Sequence, residues 1–293
     1  MNVRIAEISS FHFPQPGPAA RGAHWSAGLI AASIAVLLSA STGCSLSKLR
    51  TPERLQRGYV IVLPGIEGRS ALNYSVAKGL ADGGVPAAIE IHDWTLGGSF
   101  LTSVASLRAS GHNRSEAREV ARKIMAYQDR YPGRPTHLVG HSGGGGVAVF
   151  ALESLPPGRQ VTSAILLAPA LSPDYDLRGA LRHTQEGIYS FYSPYDVGFL
   201  KVGTSLAGTI DGRHGRAAGA VGFTMPWGLS QEDRRLYASQ LHQQKYLPKM
   251  ADAGNTGSHV GWAGRSFVVE WIAPLINTQA DSQAHYAADQ PGN

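Results

Sequence analysis

The chain has almost no cysteine: Cys44 is its only thiol. No disulfide can close within it, and no cysteine-built metal cluster can be drawn from it. Charged residues are sparse at 16%, while 43% are hydrophobic, which excludes a disordered chain and predicts a packed core. No apolar run approaches the ~20 residues that a membrane-spanning helix needs. The sequence holds no H-E-x-x-H pair, no phosphate-cradling loop ending in Lys-Ser/Thr and no calcium-loop pattern, so no metal and no cofactor are implied. Internal repeats are absent too.

Glycine, by contrast, is plentiful at 35 residues, and tight turns and close backbone approaches should follow. The net charge is +5. Part of that excess is local, with Arg108, Arg114, Arg118, Arg122, Lys123, Arg130 and Arg134 facing only Glu116, Glu119 and Asp129. No interleaved aromatics or nucleic-acid motif accompany this stripe. It reads as a solvated helix face, and no nucleic-acid partner is expected.

The longest apolar run, Ala27 to Ala40, has the length of a signal-peptide core rather than a span. Arg4 and Arg21 precede it with only Glu7 opposing them, and Ser41-Thr42-Gly43-Cys44 follows. This ending resembles a bacterial lipoprotein cleavage site, although Ser41 stands where such sites prefer leucine. Export is the expectation, to the periplasm or to a membrane-anchored state. The segment is then cleaved, lipidated at Cys44 or retained as an anchor. The expected organisation is an export segment at 1–44, a polar linker at 45–56, a folded domain at 57–277 and a flexible tail at 278–293.

Within the domain, Tyr59–Leu63 is a short β-branched run ending at Pro64-Gly65, the pattern of a strand buried on both faces. A helix is expected from about Ala71 to Leu80 and a strand at 87–91. A second helix should open at Ser115 as N-cap and end at Pro132-Gly133. Strands are expected at 136–140, 161–167 and 188–192, a small-residue helix through Leu152, and a terminal helix at 266–276. Such alternation predicts an α/β fold with a mostly parallel, doubly wound sheet and helices on both faces. Residues 198–228 read as a long glycine-rich excursion. About 20 residues separate the fourth and fifth strands, too few for a large cap domain.

Gly140-His141-Ser142-Gly143-Gly144 matches G-x-S-x-G between an apolar strand and a helix. Chemistry needs the motif at such a junction, because the glycines permit a sharp reversal that exposes the Ser142 hydroxyl at a helix N-terminus. From about residue 57 to residue 277 the chain resembles the α/β-hydrolase superfamily. The resemblance implies an oxyanion hole from the backbone amides of Ile66 and Gly143, with Pro64 standing where the family's H-G-x-x-G loop has histidine. It also implies the order nucleophile, acid, histidine.

Of the eleven histidines, only His183, His214, His242, His259 and His285 follow Ser142. His259, in the small-residue loop Asn255–Trp262 before the last helix, stands where the superfamily carries its base. Asp196, beyond the strand at 188–192, occupies the usual acid loop, with Asp174, Asp176 and Asp211 as alternatives. Glu67 and His92-Asp93-Trp94 are further candidates to line the site. The implied activity is carboxylic-ester hydrolysis of a small-molecule ester through an acyl-enzyme on Ser142. Thioesterase, acyltransferase and peptidase activities draw on the same residues, and the rival from another class is a non-catalytic binding or scaffold protein.

Overall fold

The computed structural model describes residues 46–97, 105–196 and 208–277. The expected export segment with Cys44, the tail at 278–293 and the start of the 198–228 excursion lie outside the described residues. The described residues from Ser47 onward form one compact unit. Its frame is a six-stranded sheet: β1 (Tyr59–Leu63), β2 (Ala88–Ile91), β3 (Thr136–His141), β4 (Ser163–Leu167), β5 (Ile188–Tyr192) and β6 (Leu241–Lys245). All neighbours pair in parallel, in the order β2-β1-β3-β4-β5-β6.

Every residue of β1, β3 and β4 is buried, as strands between two helical layers are. Tyr59, Ile61, Leu63, Leu138, Ala164 and Leu166 join one core with Val120 and Ile124 of α2 (Ser110–Arg130) and Val147 and Phe150 of α3 (Gly143–Glu153). On the opposite side, α1 (Ala71–Asp82) lies against β1, β2 and the terminal helix α4, residues 265–277. The expected doubly wound α/β architecture is therefore present. The connection from β4 to β5 holds only the helical turn Arg178–Leu181.

Strand order decides where a site can lie. The chain leaves β1 toward β2, then crosses back over β1 to enter β3, so connections beyond β1 and β3 run to opposite sides. A crevice opens outside the carboxyl ends of strands at such a switch point. Here the two loops flanking that crevice are the one beginning at Pro64 and the turn at Ser142.

Four features differ from expectation. Helix α2 starts at Ser110, and Ser115 lies inside it. The earlier start is held by buried Asn113, whose amide donates to the Ser106 carbonyl at 2.8 Å. Strand β6, which includes His242, is not among the expected strands. An edge strand pairs its backbone with one neighbour and leaves its side chains in water, so Leu241-His242-Gln243-Gln244-Lys245 carries no apolar signature. The stretch read as a linker packs on the sheet edge. There Arg54 donates to the Val85 and Ala87 carbonyls, and the Leu49 carbonyl accepts from Ile89. The described part of the excursion also packs: Ala217, Ala218 and Gly219 are buried beside the end of β4, and the Gly219 carbonyl accepts from Ser193. Within the basic stripe, as part of a helix face open to solvent, Arg114 pairs with Glu153, Arg122 with Glu119 and Lys123 with Glu90.

Between the C-terminal helix and β5 sits an aromatic cluster of Phe191, Trp262 and Phe267. Ring centroids lie 5.4 to 6.1 Å apart in tilted or edge-on arrangements, and both Trp262 and Phe267 are completely buried. Truncating such a side chain loses its transfer energy and leaves a cavity. Phe267→Ala should cost about 3–5 kcal/mol, seen in urea as a lower midpoint with an unchanged slope.

Candidate active site

Ser142 has φ 54° and ψ −120°, a left-handed conformation that a non-glycine residue adopts only when its surroundings impose it. Three backbone hydrogen bonds do so. The Ser142 amide donates to the Leu167 carbonyl at 2.9 Å, and its carbonyl accepts from Gly145 and Ala170 at 3.0 Å each. The strain is thus supported by β4 and by the first turn of α3 together.

The glycines around it are set by clearance. A Cβ on Gly144 would fall on the carbonyl oxygens of Leu63 and Pro64, and one on Gly140 would fall on the Gly144 carbonyl. The first turn of α3 therefore presses directly onto the end of β1, where no side chain fits. Gly143 is the first residue of α3, so its amide has no intrahelical acceptor. The Ile66 side chain lies beside it, 3.3 Å from where a Gly143 Cβ would be, and Trp94 lies closer still. Trp94, fully buried, pins the loop after β1 by donating from Nε1 to the Pro64 carbonyl at 2.7 Å. The two residues of the implied oxyanion hole are therefore adjacent.

Asp196 and His259, far apart in sequence, meet: His259 Nδ1 stands 2.8 Å from Asp196 Oδ2. The Asp196 side chain is fully buried and that of His259 nearly so. A carboxylate accepts only, so the proton of this bond sits on Nδ1, and Nε2 of a neutral ring keeps its lone pair. The loop carrying His259 is tied down by side chains. Asn255 is buried and accepts from the Gly257 amide at 2.9 Å. Gly257 itself, at φ 81°, packs on Ser193 of the Asp196 loop so closely that a Cβ would crowd its hydroxyl. At the other end, His141 Nε2 donates to the His259 carbonyl at 2.9 Å.

The remaining candidates are placed elsewhere. Asp174 pairs with Arg213, Asp176 with Arg178, and Asp211 accepts from Ser172. His183 bonds the Arg159 carbonyl, and His242 stacks on Tyr189. His214 lies on a surface cleft of about 700 Å³ together with Asp174, Asp176 and Asp211. His285 falls outside the described residues. His92 joins Glu116 and Lys123 rather than the Ser142 turn, and Asp93 accepts from the Arg69 and Thr95 amides. Sequence reasoning missed the anchoring roles of Trp94 and His141; their aromatic and polar character next to motif residues was the available signal.

Two groups beside the Ser142 turn have shifted acidities. Burial, with the His259 ring nearby, pushes the His141 imidazole down to about 3, so it is neutral at physiological pH. Burial also raises the Glu67 carboxyl above the usual carboxylate range. Among the described residues no cluster of three or more His, Cys, Asp or Glu side chains could hold a metal ion.

Comparison with protein-family models finds no match, and neither does comparison with curated proteins. Solved structures do resemble the chain. A dienelactone hydrolase-like promiscuous phosphotriesterase from metagenomic libraries is 17% identical, with 76% of this chain and 86% of that one covered and a TM-score of 0.44. Aspergillus fumigatus lipase B is 14% identical over 77% of this chain and 53% of its own, with a TM-score of 0.46. Esterase B from Lactobacillus rhamnosis is 12% identical over 92% and 100%, with a TM-score of 0.42.

The close approach of α3 to β1 has a direct test. Gly144→Ala should destabilise the protein by about 1–3 kcal/mol or more through overpacking against backbone that cannot retreat. Circular dichroism melting checks it. A melting temperature equal to the parent's contradicts the geometry.

Proposed function

We propose that the chain is a serine hydrolase of the α/β-hydrolase superfamily that cleaves carboxylic esters through an acyl-enzyme on Ser142. The observation that carries this reading is the buried His259–Asp196 contact at the end of the sheet where Ser142 is held in its strained turn. In the reaction, Ser142 Oγ attacks the ester carbonyl as its proton passes to His259 Nε2. Asp196 stabilises the imidazolium that results and keeps the ring in the needed tautomer. The Ile66 and Gly143 amides donate to the oxyanion; one such donor contributes about 3 kcal/mol to transition-state stability. The alcohol departs with the proton from His259. Water, deprotonated by the same ring, then releases the acid and restores Ser142. An alcohol leaves more readily than an amine, which favours an ester over an amide.

Ser142→Ala should abolish p-nitrophenyl ester hydrolysis, by more than about a thousandfold, while the melting temperature stays within a few degrees of the parent. His259→Ala should fall as far, because nucleophile and base act as a unit, and Asp196→Asn should also lose orders of magnitude. A fluorophosphonate probe should label Ser142 in the parent only. Activity equal to the parent in either Ser142→Ala or His259→Ala defeats the assignment.

The same reading includes export. Arg4 and Arg21, the run from Ala27 to Ala40 and the small residues before Cys44 support it. If Cys44 is lipidated, the mature chain begins there, and two acyl chains suffice for stable anchoring where one is marginal. Mass spectrometry of protein from its native host reads the N-terminus directly. A soluble cytoplasmic chain with residues 1–43 intact contradicts every form of export.

A further inference from the structure

The His141 ring, next to Ser142 in the turn, is buried and held in one orientation. Because a carbonyl only accepts, the 2.9 Å contact with the His259 main chain puts a proton on His141 Nε2. The ring is neutral, so Nδ1 is a bare acceptor. Among the described residues Nδ1 is buried with no hydrogen-bond partner, and it faces Glu67 Oε1 at 4.0 Å, which is likewise buried with none. A buried acceptor left unpaired costs about 1–3 kcal/mol. Two of them facing each other are worse if Glu67 is ionised. One proton on Glu67 reverses the sign: closing the gap by about 1 Å then makes an O–H···N bond.

We propose that Glu67 and His141 form a second hydrogen-bonded chain, from the Glu67 carboxyl to His141 Nδ1 and from His141 Nε2 to the His259 carbonyl, which positions the base. The inference rests on the reading of His259 as that base. Glu67 and His141 are positioning residues, since they act through the main chain of His259. Burial raises the Glu67 carboxyl, the direction that keeps its proton. The arrangement also has an electrostatic consequence. The His141 and His259 ring centroids are 4.8 Å apart, so a neutral His141 lets His259 take up the Ser142 proton without a second cation beside it. The titratable groups around Glu67 are His141 and His259, with Asp196 behind the latter. Across Gly68 lies Asp93, which takes the Arg69 amide.

The sign of the pH effect follows from the raised carboxyl. Its stabilising contribution is complete below the unfolded value of about 4.3 and is lost as pH rises through the folded one. The full chain and its E67Q variant should be melted from pH 4 to pH 9. A glutamine amide donates to Nδ1 at every pH, so E67Q should gain on the parent steadily as pH rises. A difference independent of pH overturns the proposal. In ester hydrolysis, H141L should lower kcat by about tenfold to a hundredfold, as displaced catalytic groups do, with KM within about twofold. H141Q keeps an N–H for the His259 carbonyl and should recover much of that loss. An unchanged kcat in H141L, or equal losses in H141L and H141Q, also overturns it. Should H141L not fold, H141N, too short to reach the carbonyl, replaces it. If Ser142→Ala proves fully active, the reading of the site fails instead, and the melting comparison, which needs no activity, still decides the Glu67–His141 pair.

Discussion

The structure turns on one close approach, the first turn of α3 against the end of β1. With no side chain on Gly144, the helix starts directly over the Leu63 and Pro64 carbonyls. This contact forces the reversal at Ser142 and brings Gly143 beside Ile66. The strand order puts this contact at the switch point between β1 and β3, where the connections part to opposite sides. The conformational strain of Ser142 is borne by hydrogen bonds from β4 and α3, parts of the core that cannot yield separately.

The second half of the site is built differently. Asp196 and His259 sit on loops, where precision has to be supplied by neighbours. The Gly257–Ser193 contact locks the two loops together, the Asn255 side chain braces one of them, and Trp262 anchors its far end in the aromatic cluster. His141 links this half to the Ser142 turn through a single hydrogen bond to the His259 carbonyl. The geometry that the proposed reaction requires, which has to hold to a fraction of an ångström, is thus secured by packing and by main-chain contacts rather than by loop stiffness.

Legibility varied with how each element is stabilised. Strands β1 and β4 were readable because burial on both faces favours short apolar runs, and β3 because its Leu138-Val139 core leads into the glycine motif. Strand β6 was not, since its stability lies in backbone pairing to β5 and its side chains are polar and largely exposed. The start of α2 was misplaced because Ser115 looks like a cap, whereas the true first turn is held by Asn113 bonding back to Ser106. Likewise, Arg54 fastens a polar stretch to the sheet edge through carbonyls that no local pattern identifies.

By itself the sequence determined the α/β alternation, the strand-to-helix turn at Ser142 and, through its glycines, the sharpness of that turn. These are local properties, written in burial periodicity and in steric clearance over a few residues. Only the tertiary structure decided that Asp196 rather than Asp174, Asp176 or Asp211 meets His259, and that His141 and Glu67 face each other with unpaired acceptors. Those are distances between residues many positions apart, set by strand order and loop packing. A carboxylate in a loop has the same local sequence character whether it turns toward an imidazole or toward an arginine.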